Sequence, residues 1–397
     1  MVELVDQDLC TGCGACAFVC PRNCIRMEEN NIHVIYPKIN VNICIDCKRC
    51  QKVCPILNPI KGHKPQKAYA AWSTNIEERR TSASGGVAAE VYKEALKEGY
   101  YAVGAVQSND FSVTLDLTMQ QEELVLFKNS KYVFSTAYSL FSKLKDVLAS
   151  DKKAVVIGLP CQIAAIRKLF RDSPHLLLMD VVCHGTTPCE YLRQHIRRLE
   201  SEYGQVAQKM SFRDPDAYTY TYTFTLYNSE GDRFYAKRTK DGDAYQYGFH
   251  RSASYRESCF HCAFAREERI SDVTLSDYSG LGKLAPCSYT AQNVSCILVN
   301  TDNGHDFVSR LISEKKIIAE ERPVREPILG DARLREPTRK KSVRRDFERY
   351  IVEYDGDFER TMSKIMPKAI RMDRMMQMLR LPKRIVNKVI KIIKLGI

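Results

Sequence analysis

Two groups of four cysteines near the start of the chain have a spacing that suits iron-sulfur clusters. Each group follows the pattern C-x2-C-x2-C-x3-C and precedes a proline; the groups are Cys10, Cys13, Cys16 and Cys20, and Cys44, Cys47, Cys50 and Cys54. Three closely spaced thiolates can bind three irons of one cubane cluster, and the fourth iron then needs a ligand from elsewhere. The spacing therefore predicts two 4Fe-4S clusters, one held by Cys10, Cys13, Cys16 and Cys54, the other by Cys44, Cys47, Cys50 and Cys20.

The alternative use of these thiols is a pair of structural zinc sites, which usually take two separated C-x-x-C pairs rather than a triple with a fourth cysteine and proline. Residues 1–58 resemble bacterial two-cluster ferredoxins, and we expect them to form a small ferredoxin-like domain. Cys24 lies outside the pattern and is predicted to be an ordinary buried thiol. A basic, proline-containing stretch over residues 58–67 is interpreted as a linker.

The chain from residue 68 to 320 alternates short apolar runs with helical periodicity, which predicts a mixed α/β domain. The predicted strands are Ala68–Trp72, Tyr101–Val106, Ala154–Gly158 and Leu176–Val182. The predicted helices are Gly86–Glu98, Ala137–Ala149, Gln162–Phe170 and Pro188–Glu202. Alternating Tyr, Thr and Phe residues between Met210 and Lys237 predict an antiparallel hairpin, so the fold class combines α/β and α+β features.

Two features of this larger domain suit cofactor chemistry. Ser82–Gly86 precedes a helix, where main-chain N–H groups and the helix dipole can bind a phosphate, although Ser84 could equally be a plain helix cap. Cys161 and Cys183 each follow a predicted strand, and Cys259 and Cys262 form a C-x-x-C pair. If the two strands are parallel, four thiols are available for a third iron-sulfur cluster or a zinc site, whereas Cys161 and Cys183 could also be buried core residues.

Seven short stretches together resemble the beta-subunit family of the coenzyme F420 (deazaflavin) hydrogenases and dehydrogenases. They are Ser82–Gly86, Ser130–Val133, Gly158–Ile163, Val182–Gly185, Ser211–Asp214, Cys259–Cys262 and Ser271–Asp277. The resemblance implies an FAD-binding domain with a 4Fe-4S cluster beside the flavin. Carried over by position, it implies FAD contacts from Ser84, Gly85, Gly86, Lys131 and Tyr132, and cluster ligands at Cys161, Cys183, Cys259 and Cys262. The chain departs from the family pattern at Ser276 and Ser279, which leaves the substrate side and the use of a deazaflavin coenzyme open.

These cofactors predict an iron-sulfur flavoprotein oxidoreductase that passes electrons between 4Fe-4S clusters and FAD and reduces or oxidises an organic substrate. A redox partner protein is expected at the other end of the electron route. The alternative is a non-catalytic subunit that relays electrons to a partner enzyme. His184, beside Cys183, is a candidate proton donor, or equally a structural hydrogen-bond donor.

Composition and charge agree with a folded redox protein and single out the C-terminal tail. The 397 residues are 44% hydrophobic and 27% charged, which excludes wholesale disorder and fibrous repeats. The absence of an export signal or a long apolar run predicts a cytoplasmic protein. A basic helical tail is expected over residues 321–397, where the amphipathic segment Arg384–Ile393 suits either an anionic membrane surface or the protein's own core; nucleic-acid binding ranks last.

Overall fold

The computed structural model of the protein describes residues 2–171, 173–217 and 222–375. The strands are β1 (Ile25–Glu29), β2 (Ile35–Ile39), β3 (Lys67–Ser73), β4 (Tyr101–Gln107), β5 (Val113–Thr118), β6 (Ser135–Thr136), β7 (Ala154–Gly158), β8 (Leu176–Val181), β9 (Lys209–Ser211), β10 (Thr223–Tyr227), β11 (Arg233–Arg238), β12 (Val273–Asp277), β13 (Ser295–Val299) and β14 (Ile317–Arg322). The helices are α1 (Ala15–Phe18), α2 (Arg49–Val53), α3 (Ile76–Thr81), α4 (Val87–Lys97), α5 (Tyr138–Ala149), α6 (Pro160–Leu169), α7 (Cys189–Tyr203), α8 (Ala244–His250), α9 (Asp302–Ser313), α10 (Arg325–Gly330) and α11 (Ser342–Glu353). The chain is also helical over residues 358–375.

The N-terminal cysteine motifs lie on a small unit that packs against the larger domain. Its strands β1 and β2 form an antiparallel hairpin, and its short helices α1 and α2 lie against α5 and α6. Ala15 and Val53 are buried in the same apolar cluster as Ile163. Gly14 has φ of +80°, and a Cβ there would lie 2.6 Å from the Cβ of Tyr138, so only glycine permits this close approach.

The larger domain is built on a mixed nine-stranded sheet, which confirms the predicted mixed α/β fold. The strand order is β14-β3-β13-β12-β8-β7-β4-β5-β6. Strands β4, β7, β8 and β12 are mutually parallel, and the other long strands pair antiparallel. Every residue of β7 is buried, as expected of an apolar strand covered on both faces. The carboxyl ends of β7 and β8 therefore lie side by side, at the edge where Cys161 and Cys183 follow.

A second core forms between the three-stranded sheet β11-β10-β9 and the C-terminal helices. Phe347 of α11, and Phe358 and Met362 of the helix at 358–375, are buried in it. The first part of the predicted basic tail thus packs on the protein itself. The amphipathic segment Arg384–Ile393 lies outside the described residues. Within the part of the chain that the structure describes, no helix is long and apolar enough to cross a membrane.

A buried histidine links the helices of this second core. His195 of α7 is fully buried, its Nε2 atom lies 3.0 Å from Oδ2 of Asp243, and its Nδ1 atom lies 2.6 Å from Oε1 of Glu359. Burial by itself lowers the pKa of His195, but the two carboxylates outweigh burial and raise that pKa to about 9. The resulting imidazolium joins α7 to the start of α8 and to the helix at 358–375.

We expect the contribution of His195 to stability to disappear as the pH rises from about 6.5 to about 9. Because the folded-state pKa is raised from 6.5, the contribution is complete below pH 6.5 and is lost as the pH passes the folded value. The difference in free energy of unfolding between the wild type and His195→Gln, measured anaerobically with urea, should shrink by roughly 3 kcal/mol over this range. A difference that does not change with pH would contradict the charged network.

Candidate redox centres

Thiols from the two ends of the small unit meet in a first set, which consists of Cys10, Cys13, Cys16 and Cys54. Burial raises the pKa of Cys16, and the neighbouring thiols of Cys13, Cys10 and Cys54 raise that pKa further. Burial likewise raises the pKa of Cys13 to about 11. Gly12 donates its main-chain N–H to Sγ of Cys10 at 3.4 Å, a contact that also suits a thiolate ligand of a cluster. The structure thus brings together the four thiols that the spacing predicts, and their role as ligands stays a prediction.

A second set of thiols lines a separate cavity of the small unit. It consists of Cys20, Cys44, Cys47 and Cys50, the other group that the spacing predicts. Cys24 lines the same cavity, with its Sγ atom 3.2 Å from Sγ of Cys20. The thiol of Cys24 is buried, as the sequence predicts, but its position four residues after Cys20 brings it to the candidate cluster site.

A third set lies at the carboxyl edge of the large sheet. Cys161 is in the first turn of α6, directly after β7, and Cys183 follows β8; Cys259 and Cys262 come from the turn between α8 and β12. All four line one cavity. Burial raises the pKa of Cys161 well above its usual value, and the thiols of Cys183, Cys262 and Cys259 raise that pKa further. The parallel order of β7 and β8 therefore places the two strand-end thiols where the sequence predicts them.

The first and third sets are neighbours across the contact between the small unit and the large domain. Cys13 is close enough to Cys161 to affect the pKa of its thiol, and Thr11 lines the cavity of the third set. Within the described residues, no three His, Cys, Asp or Glu side chains are arranged to hold a single metal ion. Ligands of a cubane cluster bind four separate irons and therefore need not converge on one point as the ligands of a single ion do.

Arg256 fills the contact between these two sets. Its guanidinium donates to the carbonyl oxygens of Thr11 at 2.6 Å, Ile35 at 3.1 Å and Cys10 at 3.4 Å. Its Cζ atom lies 4.2 Å from the ring centre of Phe134, and the residue is only 3% exposed. Nε of Arg256 is buried without a hydrogen-bond partner among the described residues, which leaves one N–H beside the cysteine sites. The sequence predictions miss this residue, because a single arginine three residues before Cys259 carries no pattern that would indicate its role.

The turn predicted to bind a phosphate is tied to the sheet. Ser84 donates its hydroxyl to the carbonyl of Val294 at 3.0 Å, and Gly85 donates its N–H to Oγ of Ser295 at 3.0 Å. A Cβ at Gly85 would lie 2.5 Å from the carbonyl oxygen of Ala71, so the glycine is needed for packing. Gly86, with φ of +83°, is the N-cap residue of α4. Two of the donors expected for a ligand are therefore engaged within the protein.

The two other predicted flavin contacts lie in different surroundings. Lys131 donates its ammonium group to the carbonyl oxygens of Leu126 and Lys128 at 2.8 and 2.7 Å, and burial lowers its pKa to about 7. The ring of Tyr132 stacks on Phe249 with centres 4.7 Å apart. Tyr132 thus contributes to an aromatic surface, whereas Lys131 stabilises the loop to which it belongs by bonding to its carbonyl groups.

A line of aromatic rings runs from Tyr132 toward the third set of thiols. Phe249 contacts Tyr255, with ring centres 5.1 Å apart, and Tyr255 lies close enough to Cys183 and Cys259 for their charges to raise its pKa, after the larger effect of burial. Gly185 permits this packing, because a Cβ there would lie 2.2 Å from the ring of Tyr255. The rings therefore join the thiols to the surface around Tyr132.

Polar residues border this aromatic surface. Arg213 lies 5.0 Å from the ring centre of Tyr222 and donates to Oδ2 of Asp277 at 2.8 Å. Burial lowers the pKa of the neighbouring His250 to about 4, which keeps it neutral at physiological pH. His184, the candidate proton donor, lines the third cavity but is 59% exposed and lies 3.4 Å from Asp331.

Comparison with known proteins agrees with both parts of this arrangement. Residues 9–57 match the family model of the 4Fe-4S dicluster domain, and residues 151–324 match that of the C terminus of the coenzyme F420 hydrogenase/dehydrogenase beta subunit. Residues 151–324 belong to the coenzyme F420 hydrogenase/dehydrogenase beta-subunit family. A 4Fe-4S dicluster domain precedes this beta-subunit domain in the chain, which supports iron-sulfur clusters over zinc in the small unit.

Three individual proteins show how far the similarity extends along the chain. It is 21% identical to the F subunit of the F(420)H(2) dehydrogenase of Methanosarcina mazei over 336 residues, which cover 81% of this chain and 88% of that protein. It is 30% identical to the coenzyme F420-dependent sulfite reductase of Methanocaldococcus jannaschii over 175 residues, 42% of this chain and 26% of that protein. A chain of the F420-reducing nickel-iron hydrogenase complex from Methanosarcina barkeri superposes with a TM-score of 0.47 and 18% identity, covering 73% of this chain and 92% of that chain.

Proposed function

We propose that this protein is an iron-sulfur flavoprotein that passes electrons between three 4Fe-4S clusters and FAD and thereby reduces or oxidises an organic substrate. The observation that carries the proposal is the spatial order of the three thiol sets. The first set lies next to the third, at Cys13 and Cys161. The second set would be held by the same small unit, through Cys20 at one end and Cys50 at the other. The twelve predicted ligands thus supply one continuous route into the large domain.

The third cluster is proposed to be held by Cys161, Cys183, Cys259 and Cys262. These thiols share one cavity, and Thr186 donates its N–H to Sγ of Cys259 at 3.4 Å. Hydrogen bonds of this kind stabilise the charge on ligating thiolates. A zinc ion is the less favoured occupant. This cavity adjoins a dicluster domain, and a third cluster there could exchange electrons with it, whereas zinc has no redox chemistry.

We propose FAD as a cofactor because the resemblance to the beta-subunit family implies it, and residues of this chain indicate what would surround it. A bound flavin supplies hydride chemistry to an organic molecule and single-electron exchange to clusters. The aromatic surface at Tyr132 and Phe249 offers a ring to pack against, and the neutral ring of His250 can accept a hydrogen bond there. By contrast, the hydroxyl of Ser84 and the N–H of Gly85 already donate hydrogen bonds within the protein. The main-chain N–H groups in the first turn of α4 are therefore the donors of this turn that a phosphate could still contact.

The organic substrate is proposed to be a deazaflavin coenzyme, because relatives of the family carry that coenzyme in their names. A second candidate function is a non-catalytic subunit that relays electrons to a partner enzyme. It is favoured by the engaged donors of Ser84 and Gly85, which reduce what the predicted turn offers to FAD.

Anaerobic purification followed by analysis of iron, sulfide, zinc and extracted flavin tests these proposals. The oxidoreductase predicts about twelve irons and one flavin per chain, and bleaching of the flavin on addition of the reduced deazaflavin coenzyme. Full iron without flavin would support the relay subunit instead. Zinc in place of iron in the third set would reject the third cluster.

A further inference from the structure

The loop around the second thiol set exposes apolar side chains. Val41, Ile43 and Ile45 are 51%, 41% and 59% exposed. They alternate along residues 40–49, the segment that also carries Cys44 and Cys47. Of the sixteen cysteines, all within the described residues, Cys47 alone is exposed. Apolar side chains therefore surround the most accessible of the predicted cluster ligands.

The charges beside this apolar loop are mainly positive. The cavity of the second set is lined by Arg22, Lys48 and Arg49, and no acidic residue is among its lining residues in the described chain. All three cations are exposed, and Asp46 is the acidic residue of the loop. An apolar centre bordered by charges of one sign is the arrangement of many transient protein interfaces, in which the charges steer the partner and the apolar centre holds it.

The positions of the other two sets leave this loop as the accessible end of the route. The first set faces the third across the buried contact at Arg256, and its Cys10 is buried. Electrons exchanged with another protein would therefore enter or leave most directly at the second set.

We propose that residues 40–49, together with Arg22, form the docking surface for a small acidic protein that carries one electron. The proposal rests on the proposed function, since it needs a cluster at the second set. In each encounter the carrier loses one electron and the cluster held by Cys20, Cys44, Cys47 and Cys50 gains it, with no proton or bond transferred. The positive border selects an acidic carrier, and the exposed apolar side chains favour a folded protein over a small anion.

Stopped-flow reduction of the anaerobic full-length protein tests the surface. The double charge reversal Lys48→Glu with Arg49→Glu is compared with Lys145→Glu with Lys283→Glu, which changes the net charge equally at exposed lysines of the large domain. The probe is a reduced acidic two-cluster ferredoxin. We expect the first variant to lower the second-order rate constant about tenfold or more at low ionic strength, with the loss fading at high salt, and the control to have a much smaller effect.

A third variant separates the apolar contact from the charges. Ile45→Ser is expected to lower the rate constant with ferredoxin without changing its dependence on salt. The docking surface would be overturned if the two double variants lowered the rate constant with ferredoxin equally. It would also be overturned if the rate constant of Lys48→Glu with Arg49→Glu did not change.

Dithionite, which needs no docking protein, distinguishes this failure from failure of the proposed function. Reduction of the clusters by dithionite at the normal rate, with iron content intact and the ferredoxin rate unchanged, would reject the surface and leave the proposed function standing. Clusters that dithionite cannot reduce in the wild type would overturn both.

Discussion

Replacing Cys161 with alanine is expected to lower the iron content from about twelve to about eight atoms per chain, because the proposed third cluster would be lost with one of its four thiolate ligands. Cys161 is held in the first turn of α6, and the thiols of Cys183, Cys259 and Cys262 lie around it. The small unit takes no ligand from this cavity, so its two clusters should remain. Electron transfer between the small unit and the substrate should slow roughly a hundredfold or more.

The measurement combines iron and sulfide analysis with electron paramagnetic resonance of the reduced protein. Cys287→Ala is the matched control, since Cys287 donates to the carbonyl of Tyr289 away from the three sets. Unchanged iron and unchanged cluster signals in Cys161→Ala would show that Cys161 is not a ligand. Loss of all three signals would instead mean that the variant disturbs the fold.

Replacing Arg256 with glutamine is expected to make the midpoint potentials of the first cluster and of the proposed third cluster more negative by about 60 mV, the equivalent of about 1.4 kcal/mol for one electron. The reason is that a buried positive charge between two clusters stabilises their reduced, more negative states. The same change removes three hydrogen bonds to Thr11, Ile35 and Cys10. We expect the free energy of unfolding to fall by about 3 kcal/mol, because hydrogen bonds from a charged donor are among the stronger ones.

Arg256→Lys separates the two effects, since lysine keeps the charge but not the planar group that reaches three carbonyls. In Arg256→Lys the midpoint potentials should stay close to those of the wild type, whereas the free energy of unfolding should fall nearly as far as in Arg256→Gln. Arg310→Gln removes an exposed arginine bonded to Glu98 and is the control for a simple change of net charge. Redox titration followed by electron paramagnetic resonance measures the potentials. Identical potentials in the wild type and Arg256→Gln would contradict the electrostatic role.

Much of the fold could be read from local patterns. Apolar runs such as Ala154–Gly158 are observed as buried strands, and the helices predicted after them begin within two residues of their observed starts. Alternation of Tyr, Thr and Phe correctly indicates the hairpin of β10 and β11. These elements were predictable because the apolar residues of a helix or strand that packs on a sheet repeat along its own sequence, with the period of that element.

The functional surroundings were less predictable, for identifiable reasons. Arg256 and His195 have partners more than a hundred residues away, such as Thr11 and Glu359, and single residues of this kind form no sequence pattern. Ser84 and Gly85 have the composition of a phosphate-binding turn, yet Val294 and Ser295 engage their donors. The helical pattern of the tail also does not say whether its apolar side faces a membrane or a core.

The sequence by itself determined the dicluster domain: three cysteines of each motif lie close along the chain, so their spacing alone predicts that they share a cluster. Tertiary structure decided which thiols adjoin which, bringing Cys13 to Cys161 and placing Arg256 against Cys10 at the cavity of the third set. It also decided that Phe347 and Phe358 of the predicted tail join the second core. Such contacts depend on how separate elements pack, and burial and charge at those contacts act between residues that no local pattern connects.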